Sequence, residues 1–223
     1  MHFANADFFR RKKHTHITKS YLTNEKLSVK VNVNFNYGDR EMKIDSCKLR
    51  AAQKFAAVND PRYYLCGIRI NGKHIEATNG HVAVRMDSDV STKRDLIVSF
   101  KGKIPAKAVE TVLTFKKGKE TAYHYDGMMN LISAQLFDIV DGKFPELDKV
   151  IPTEMTKGEF PNINSIYLKL IHDAFAGGKN DYFGAKAVSY GVGEKVVFKL
   201  PSLKNHTFGN PVIIIMPMSE EKK

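Results

Sequence analysis

Histidines, cysteines and carboxylates are the side chains of this chain that could do chemistry, and their spacing decides whether they do. His14 and His16 form a His-x-His pair. Such a pair can touch a metal, but a zinc site needs further thiol, imidazole or carboxylate ligands, and none clusters nearby. Cys47 and Cys66 are two thiols in all, too few for a disulfide framework or a zinc site, and they read as buried or half-buried groups. Asp138, Asp141, Glu146 and Asp148 share a short stretch, and Asp181 stands apart. No spacing among them makes an acid–base pair, so the acidic stretch reads as solvated loop. His81 has no candidate nucleophile near it and reads as a turn histidine that satisfies backbone groups. No G-x-S-x-G, Walker A loop or H-E-x-x-H is present. The chain is expected to have no catalysis of its own, no metal and no cofactor.

The balance of residues points to a binding protein. The 223 residues are 43% hydrophobic and 26% charged, enough to bury a core. No apolar run approaches the roughly 20 residues that span a bilayer. Phe8-Phe9 is followed by the basic run Arg10 to Lys13, which is not the apolar core of a signal peptide. A soluble, cytoplasmic protein is expected. The formal net charge of +11 suggests a polyanionic partner, with nucleic acid the leading candidate.

The elements follow from periodicity. Residues 26–37 alternate apolar and polar and read as one strand of an N-terminal extension, residues 1–41. From Met42 a unit begins. Met42 to Ile44 reads as a strand, Asp45-Ser46 as the cap of a helix to about Asn59, and Pro61 as its stop. Leu49, Ala52 and Phe55-Ala56 make the apolar face. Residues 62–85 read as a three-strand meander, with Tyr64, Cys66, Ile68 and Ile70 on one face. Asn71-Gly72 is expected to turn with two positive φ angles, and Thr78-Asn79-Gly80-His81 is a second turn. A second copy starts near Asp95. It has a strand at 96–100, a helix opened by Ile104-Pro105 with Val109, Val112 and Leu113 as its stripe, and a hairpin turning at Asp126-Gly127. A third helix is expected from Asn162 or Asn164 to Ala176. Its buried side is Ile166, Tyr167, Leu170, Ile171 and Ala174, and Gly177-Gly178 would form a left-handed cap. Strands at 187–192, 195–200 and 211–218 close the chain. Repetition at roughly 55 residues argues for an α+β fold of three βαβββ units.

Three separated strings carry a family resemblance. Arg62-Tyr63-Tyr64-Leu65 with Ala77-Thr78-Asn79-Gly80-His81, then Gly142, Phe144, Pro145, Val150 and Pro152 around DGKFP, then Ile215-Met216-Pro217-Met218, resemble the second domain and the C-terminus of the bacterial DNA polymerase III β sliding clamp. The resemblance implies the DNA-clamp fold, with antiparallel sheets outside and helices on the inner face. Residues 42–152 resemble a complete clamp domain of two βαβββ units, and residues 153–223 half of another. Residues 1–41 lie outside the resemblance. The family's first domain and the front half of its third have no counterpart, which is the pattern of a truncated or phage-type relative.

What the resemblance implies is a processivity factor with two surfaces. One is basic: Arg50, Lys54, Lys107, Lys169 and His172, placed on the unit helices, would meet duplex DNA phosphates without sequence preference. The other is an apolar pocket for short linear motifs of polymerase and clamp-loader subunits, carried over to Thr78, Gly80, His81, Val82, Ala83, Pro152, Ile214, Met216, Pro217 and Met218. Methionine suits such a groove because its thioether adapts to several partners. Two departures stand out: Val82 where the family often has arginine, and Ser219 where a basic residue is usual. The competing reading of 214–218 is a plain core strand. A ring would close only through a homo-oligomer. The alternative function is a peptide-binding decoy or adaptor that captures clamp-binding replication proteins without a ring. A third, an unrelated basic nucleic-acid-binding domain, requires all three strings to match by chance.

Overall fold

Alternating burial along short strands builds a sheet with two unlike faces. The computed structural model describes residues 41–219 apart from 117, 155–158, 179 and 192. The strand expected at 26–37 and the His14/His16 pair lie outside the described residues. The first unit runs β1 (Glu41–Asp45), α1 (Ser46–Phe55), a 3-10 turn at Tyr63–Cys66, then β2 (Ile68–Ile70), β3 (His74–Thr78) and β4 (Val82–Asp87). The second is four strands, β5 (Leu96–Phe100), β6 (Glu110–Thr114), β7 (Thr121–Tyr125) and β8 (Leu131–Ile139). The last part is α2 (Ser165–Phe175), β9 (Lys186–Ser189), β10 (Val196–Lys199), α3 (Ser202–Phe208) and β11 (Val212–Ile215).

All strand pairs are antiparallel, and the order is β1-β6-β7-β8-β5-β2-β3-β4-β11-β10-β9. β8 joins the two halves. Leu131–Leu136 pair with β7, and Phe137–Ile139 pair with β5. Past residue 152 the sheet continues without a break, because β11 pairs with β4 from Ile215–Val82 to Val212–Arg85.

Period-2 alternation sorts the strands' residues between two cores. Ile68, Ile70, Ile75, Ala77, Val84, Met86, Val196, Phe198, Ile213 and Ile215 face the helices and join Leu49, Phe55, Phe175 and Phe208. The aromatic rings of the helices meet directly: Phe55–Phe175 centroids are 6.2 Å apart, and Phe175–Phe208 are 4.9 Å apart edge to face. The opposite face carries a smaller core of Ala83, Ile97, Val197 and Ile214, covered by Phe144 and Leu147. Those two belong to a strap, residues 140–152, that follows β8 across the outer face.

Several local expectations are corrected. The helix expected after Ile104-Pro105 does not form. Only a turn closed by Ala108 N–H to Pro105 C=O at 3.1 Å is present, and Val112 and Leu113 lie on β6. The second unit is therefore ββββ, and α3, in the third, was not anticipated. α1 ends at Phe55, before Asn59, with its cap N–H still bonded to Ala52. Asp45 holds the N-cap place with no side-chain cap bond, and Ser46 Oγ instead meets Thr111 Oγ1 at 2.7 Å. Tyr63–Cys66 is 3-10 turn where a strand was expected. The Asn71-Gly72 turn uses no positive φ. Asn71 Oδ1 accepts the N–H groups of Lys73 and His74, both at 2.8 Å, so the side chain closes the turn. α2 is capped as expected by Asn164, whose Oδ1 accepts Ile166 N–H at 3.0 Å. Ile166 itself is exposed, and the helix ends through Ala176 in extended backbone, without a left-handed glycine.

Candidate functional site

The turn Thr78-Asn79-Gly80-His81 is over-determined by short bonds. Asn79 Oδ1 accepts His81 N–H at 2.9 Å and Val82 N–H at 3.0 Å. Thr78 Oγ1 donates to Val82 C=O at 2.8 Å and accepts Gly80 N–H at 3.0 Å. Gly80 takes φ +91°, and the Arg62 guanidinium lies 3.1 Å from where a Cβ would stand, so both backbone and space call for glycine. Arg62 is fixed in turn by Asp60. It donates Nε to Oδ1 at 3.0 Å and an Nη to Oδ2 at 2.8 Å, and these bonds pull the Asp60 carboxyl down to about 2. His81 C=O accepts Met216 N–H at 2.8 Å, which ties the turn to the end of β11.

This junction opens into an apolar cavity of ≈ 270 Å³ on the outer face of the sheet. Its floor is Thr78, Gly80, His81, Val82 and Ala83 of the β3–β4 turn, with Ile214 and Met216 from the β11 strand and its exit. One wall is the 3-10 turn, through Arg62, Tyr64 and Leu65. The other is the strap, through Pro145, Leu147, Lys149 and Val150, with Lys195 also at the edge. The walls touch: a Cβ on Gly142 would stand 2.9 Å from Tyr64 Cβ. The RYYL and DGKFP strings, far apart in sequence, are thus one packed structure.

Seven of the ten residues expected at an apolar pocket line this cavity: Thr78, Gly80, His81, Val82, Ala83, Ile214 and Met216. Pro152, Pro217 and Met218 do not line it. Met218 N–H is bonded to Asn162 C=O at 2.8 Å and its side chain is 53% exposed. Arg62, Tyr64, Leu65, Pro145, Leu147, Lys149, Val150 and Lys195 were missed as lining residues, although RYYL and DGKFP had already marked most of them.

Beneath the strap lies a buried charge network. Glu76 of β3, fully buried, accepts Arg85 Nε through Oε1 at 2.5 Å and Arg69 Nη1 through Oε2 at 2.9 Å. Arg69 also clasps Asp95 with two bonds, at 2.8 and 2.6 Å, and lies over the Phe144 ring with 6.0 Å to its centroid. Arg85 Nη1 donates to Asp148 Oδ1 at 2.6 Å, which holds the Asp148 carboxyl below the usual carboxylate range. This network was not anticipated, because Arg69, Glu76 and Arg85 read as ordinary polar residues of alternating strands.

The five residues expected on a basic helical face part company. Lys54 of α1 and Lys169 of α2 are exposed, and both act on the Asp173 carboxylate, to which Lys169 is bonded. His172 is half-buried and stacks on Phe183, centroids 5.9 Å apart. Arg50 is turned inward. Its Nη1 donates to Pro105 C=O at 3.0 Å, which also accepts Ala108 N–H, and to Ala108 C=O at 2.7 Å, so the guanidinium closes over the turn that stands where a helix was expected. Lys107 stands exposed on the turn that replaces that helix. Among the described residues no group of three or more metal-ligating side chains occurs, and no helix is long and apolar enough to cross a membrane.

The antiparallel sheet backed on one face by helices, continued from one unit's β4 into another's β11, is a DNA-clamp architecture. More closely, it is the fold of the bacterial DNA polymerase III β sliding clamp. The DNA polymerase III subunit β of Borrelia burgdorferi superposes with TM-score 0.53 at 14% identity, over 81% of this chain and 64% of that one. The sliding clamp of Pseudomonas aeruginosa gives 0.52 at 16%, over 81% and 66%. That of Caulobacter crescentus gives 0.53 at 14%, over 81% and 65%. The chain thus spans about two thirds of the length of these clamps. No protein-family model matches the sequence, and no curated protein does.

Proposed function

We propose that this chain is a sliding-clamp-like processivity factor, without catalysis of its own, that docks short linear motifs in the cavity at the β3–β4 turn. The observation that carries the reading is the cavity itself. Four stretches distant in sequence converge on one apolar hollow, on a sheet with the clamp fold. The partners are polymerase and clamp-loader subunits that present apolar motif side chains to Val82, Leu147, Ile214 and Met216. Duplex DNA would meet the opposite, helical side through Lys54 and Lys169, and Lys107 would add to it from its turn. Arg50 is left out of that set, since its guanidinium is engaged by backbone carbonyls. A ring requires more than one copy of the chain.

The test is a fluorescence-anisotropy titration with a labelled peptide carrying a polymerase clamp-binding motif. Saturable binding is expected. Met216→Glu is expected to abolish it, and Met218→Glu to weaken it far less. Equal effects of the two, or no saturation with wild type, would refute the assignment of the cavity. Charge reversal at Lys54 and Lys169 should weaken duplex DNA binding and flatten its salt dependence by roughly one unit of slope per lysine, leaving peptide binding unchanged. Light scattering over a concentration series then decides the ring: a closed oligomer supports encirclement, and a monomer throughout refutes it.

A further inference from the structure

We propose that Asp148 is a positioning residue for the cavity, clasped by Arg85 so that the strap of residues 140–152 stays down as the cavity's wall. The inference rests on the docking role proposed above and adds what sets that wall in place.

The strap is tied to the sheet at its start, where Val140 N–H donates to Ile97 C=O at 2.8 Å. Beyond that bond its backbone turns on itself. Lys149 N–H goes to Glu146 C=O at 3.1 Å, and Val150 and Ile151 N–H both go to Leu147 C=O at 2.9 Å. Among the described residues no backbone bond joins residues 141–152 to a strand. Side chains therefore hold the strap. Phe144 and Leu147 supply buried apolar contact, which is strong but not directional. The Arg85–Asp148 bond supplies direction. It falls in the short 3-10 turn Leu147–Lys149, between two residues that line the cavity.

The anchor on the sheet side is rigid. The Arg85 side chain is 10% exposed, and its Nε is held by fully buried Glu76, whereas Asp148 is 84% exposed. Arg85 Nη2 is buried and makes no hydrogen bond. A fixed cation that meets a surface carboxylate is suited to place a segment, and less suited to hold the fold together. Loss of Asp148 leaves two cations, Arg69 and Arg85, against two carboxylates, Glu76 and Asp95, so the remaining network is neutral.

The test uses the full chain with Asp148→Ala and Asp148→Glu. Amide hydrogen exchange across residues 144–151 is expected to quicken in the Ala variant while the thermal midpoint stays near wild type, and the Glu variant should recover most of the protection. With the labelled clamp-binding peptide, the Ala variant should lose about fivefold in affinity, through faster dissociation. Unchanged exchange in the strap, or equal peptide affinity of wild type and Ala variant, overturns the proposal. If wild type binds no peptide, the docking role fails and the exchange measurement alone decides the role of Asp148.

Discussion

Glu76 is the most exacting point at which to test the energetics of the outer face. It is fully buried, and each carboxylate oxygen holds a different guanidinium. Glu76→Gln keeps the volume and removes the charge, so two arginines face each other across a neutral amide that offers one acceptor where there were two. Removing one member of a buried ion network costs about 3–5 kcal/mol, because the partner charges stay desolvated. The lower end applies here, since Arg69 keeps Asp95 and Arg85 keeps Asp148. A domain of this size is stable by about 5–15 kcal/mol, so the loss is a large share of the total. With a urea m-value of about 2 kcal/mol/M, the midpoint should fall by about 1.5 M at constant m. Glu41→Gln on the exposed edge strand β1 is the control, expected within about 0.5 kcal/mol of wild type. A Glu76→Gln loss below about 1 kcal/mol would refute the view that this carboxylate holds the two guanidiniums in place.

Three further perturbations follow from the structure. Phe175→Ala removes the ring between Phe55 and Phe208 and should cost about 3–5 kcal/mol in denaturant unfolding. Gly209→Ala should cost about 1–3 kcal/mol, because φ is +69° and the new Cβ would stand 2.6 Å from Asp87 C=O; a neutral result would show that the α3–β11 joint yields. His124 is fully buried and accepts Gln135 Nε2 at 2.8 Å, so its Nδ1–H donates to Thr111 Oγ1 at 2.9 Å and the ring is neutral. Burial first, and then the Arg50 charge, push its pKa down. The unfolded chain therefore takes up that proton first. Stability should be full above the ordinary histidine value of about 6.5 and decline as pH falls below it. His124→Gln should flatten the decline between pH 6.5 and 5, and an unchanged slope would assign it to other groups.

The fold was legible where burial follows one period and stays with it. β3, β4, β5, β10 and β11 lie close to where alternation placed them, and α1 and α2 begin at their capping residues. The reading went astray where one pattern fits two elements. Val109, Val112 and Leu113 have the spacing of a helical stripe, but Val112 and Leu113 on a short strand are buried as well. Only nine residues separate β5 from β6, with Gly102 and Pro105 among them. Tyr64 and Cys66 alternate like strand residues, yet the chain there coils so that Tyr64 meets Gly142. The cavity was legible in part, through strings that carry a resemblance to a family. Its charge network and the Ser46–Thr111–His124–Gln135 chain were not. Their members come from elements that become neighbours only after folding, and no single one of them marks the network in the sequence.

The cavity arises from how the two faces of the sheet are covered. The helical face is closed by α1, α2 and α3, whose aromatic residues share one core with the strands. Among the described residues no α-helix covers the outer face, and its cover is a strap of thirteen residues. Phe144 and Leu147 reach Ala83, Ile97, Val197 and Ile214, and at the β3–β4 turn the cover stops. Val82 is an instructive case, because it is buried in the helix-side core and yet the residue borders the cavity. Extending the cover would fill the hollow with the chain's own residues. Shortening it would expose Ile214 and Ala83, whose burial each strand's alternation requires. The Arg69–Glu76–Arg85 network lets polar residues occupy the rest of that covered face without orphaned charge. It also gives Arg85 a fixed position from which to hold Asp148. Sheet alternation, the length of the strap and the buried ions therefore jointly set one hollow, at the place where the β3–β4 turn, RYYL, the strap and the C-terminal strand meet.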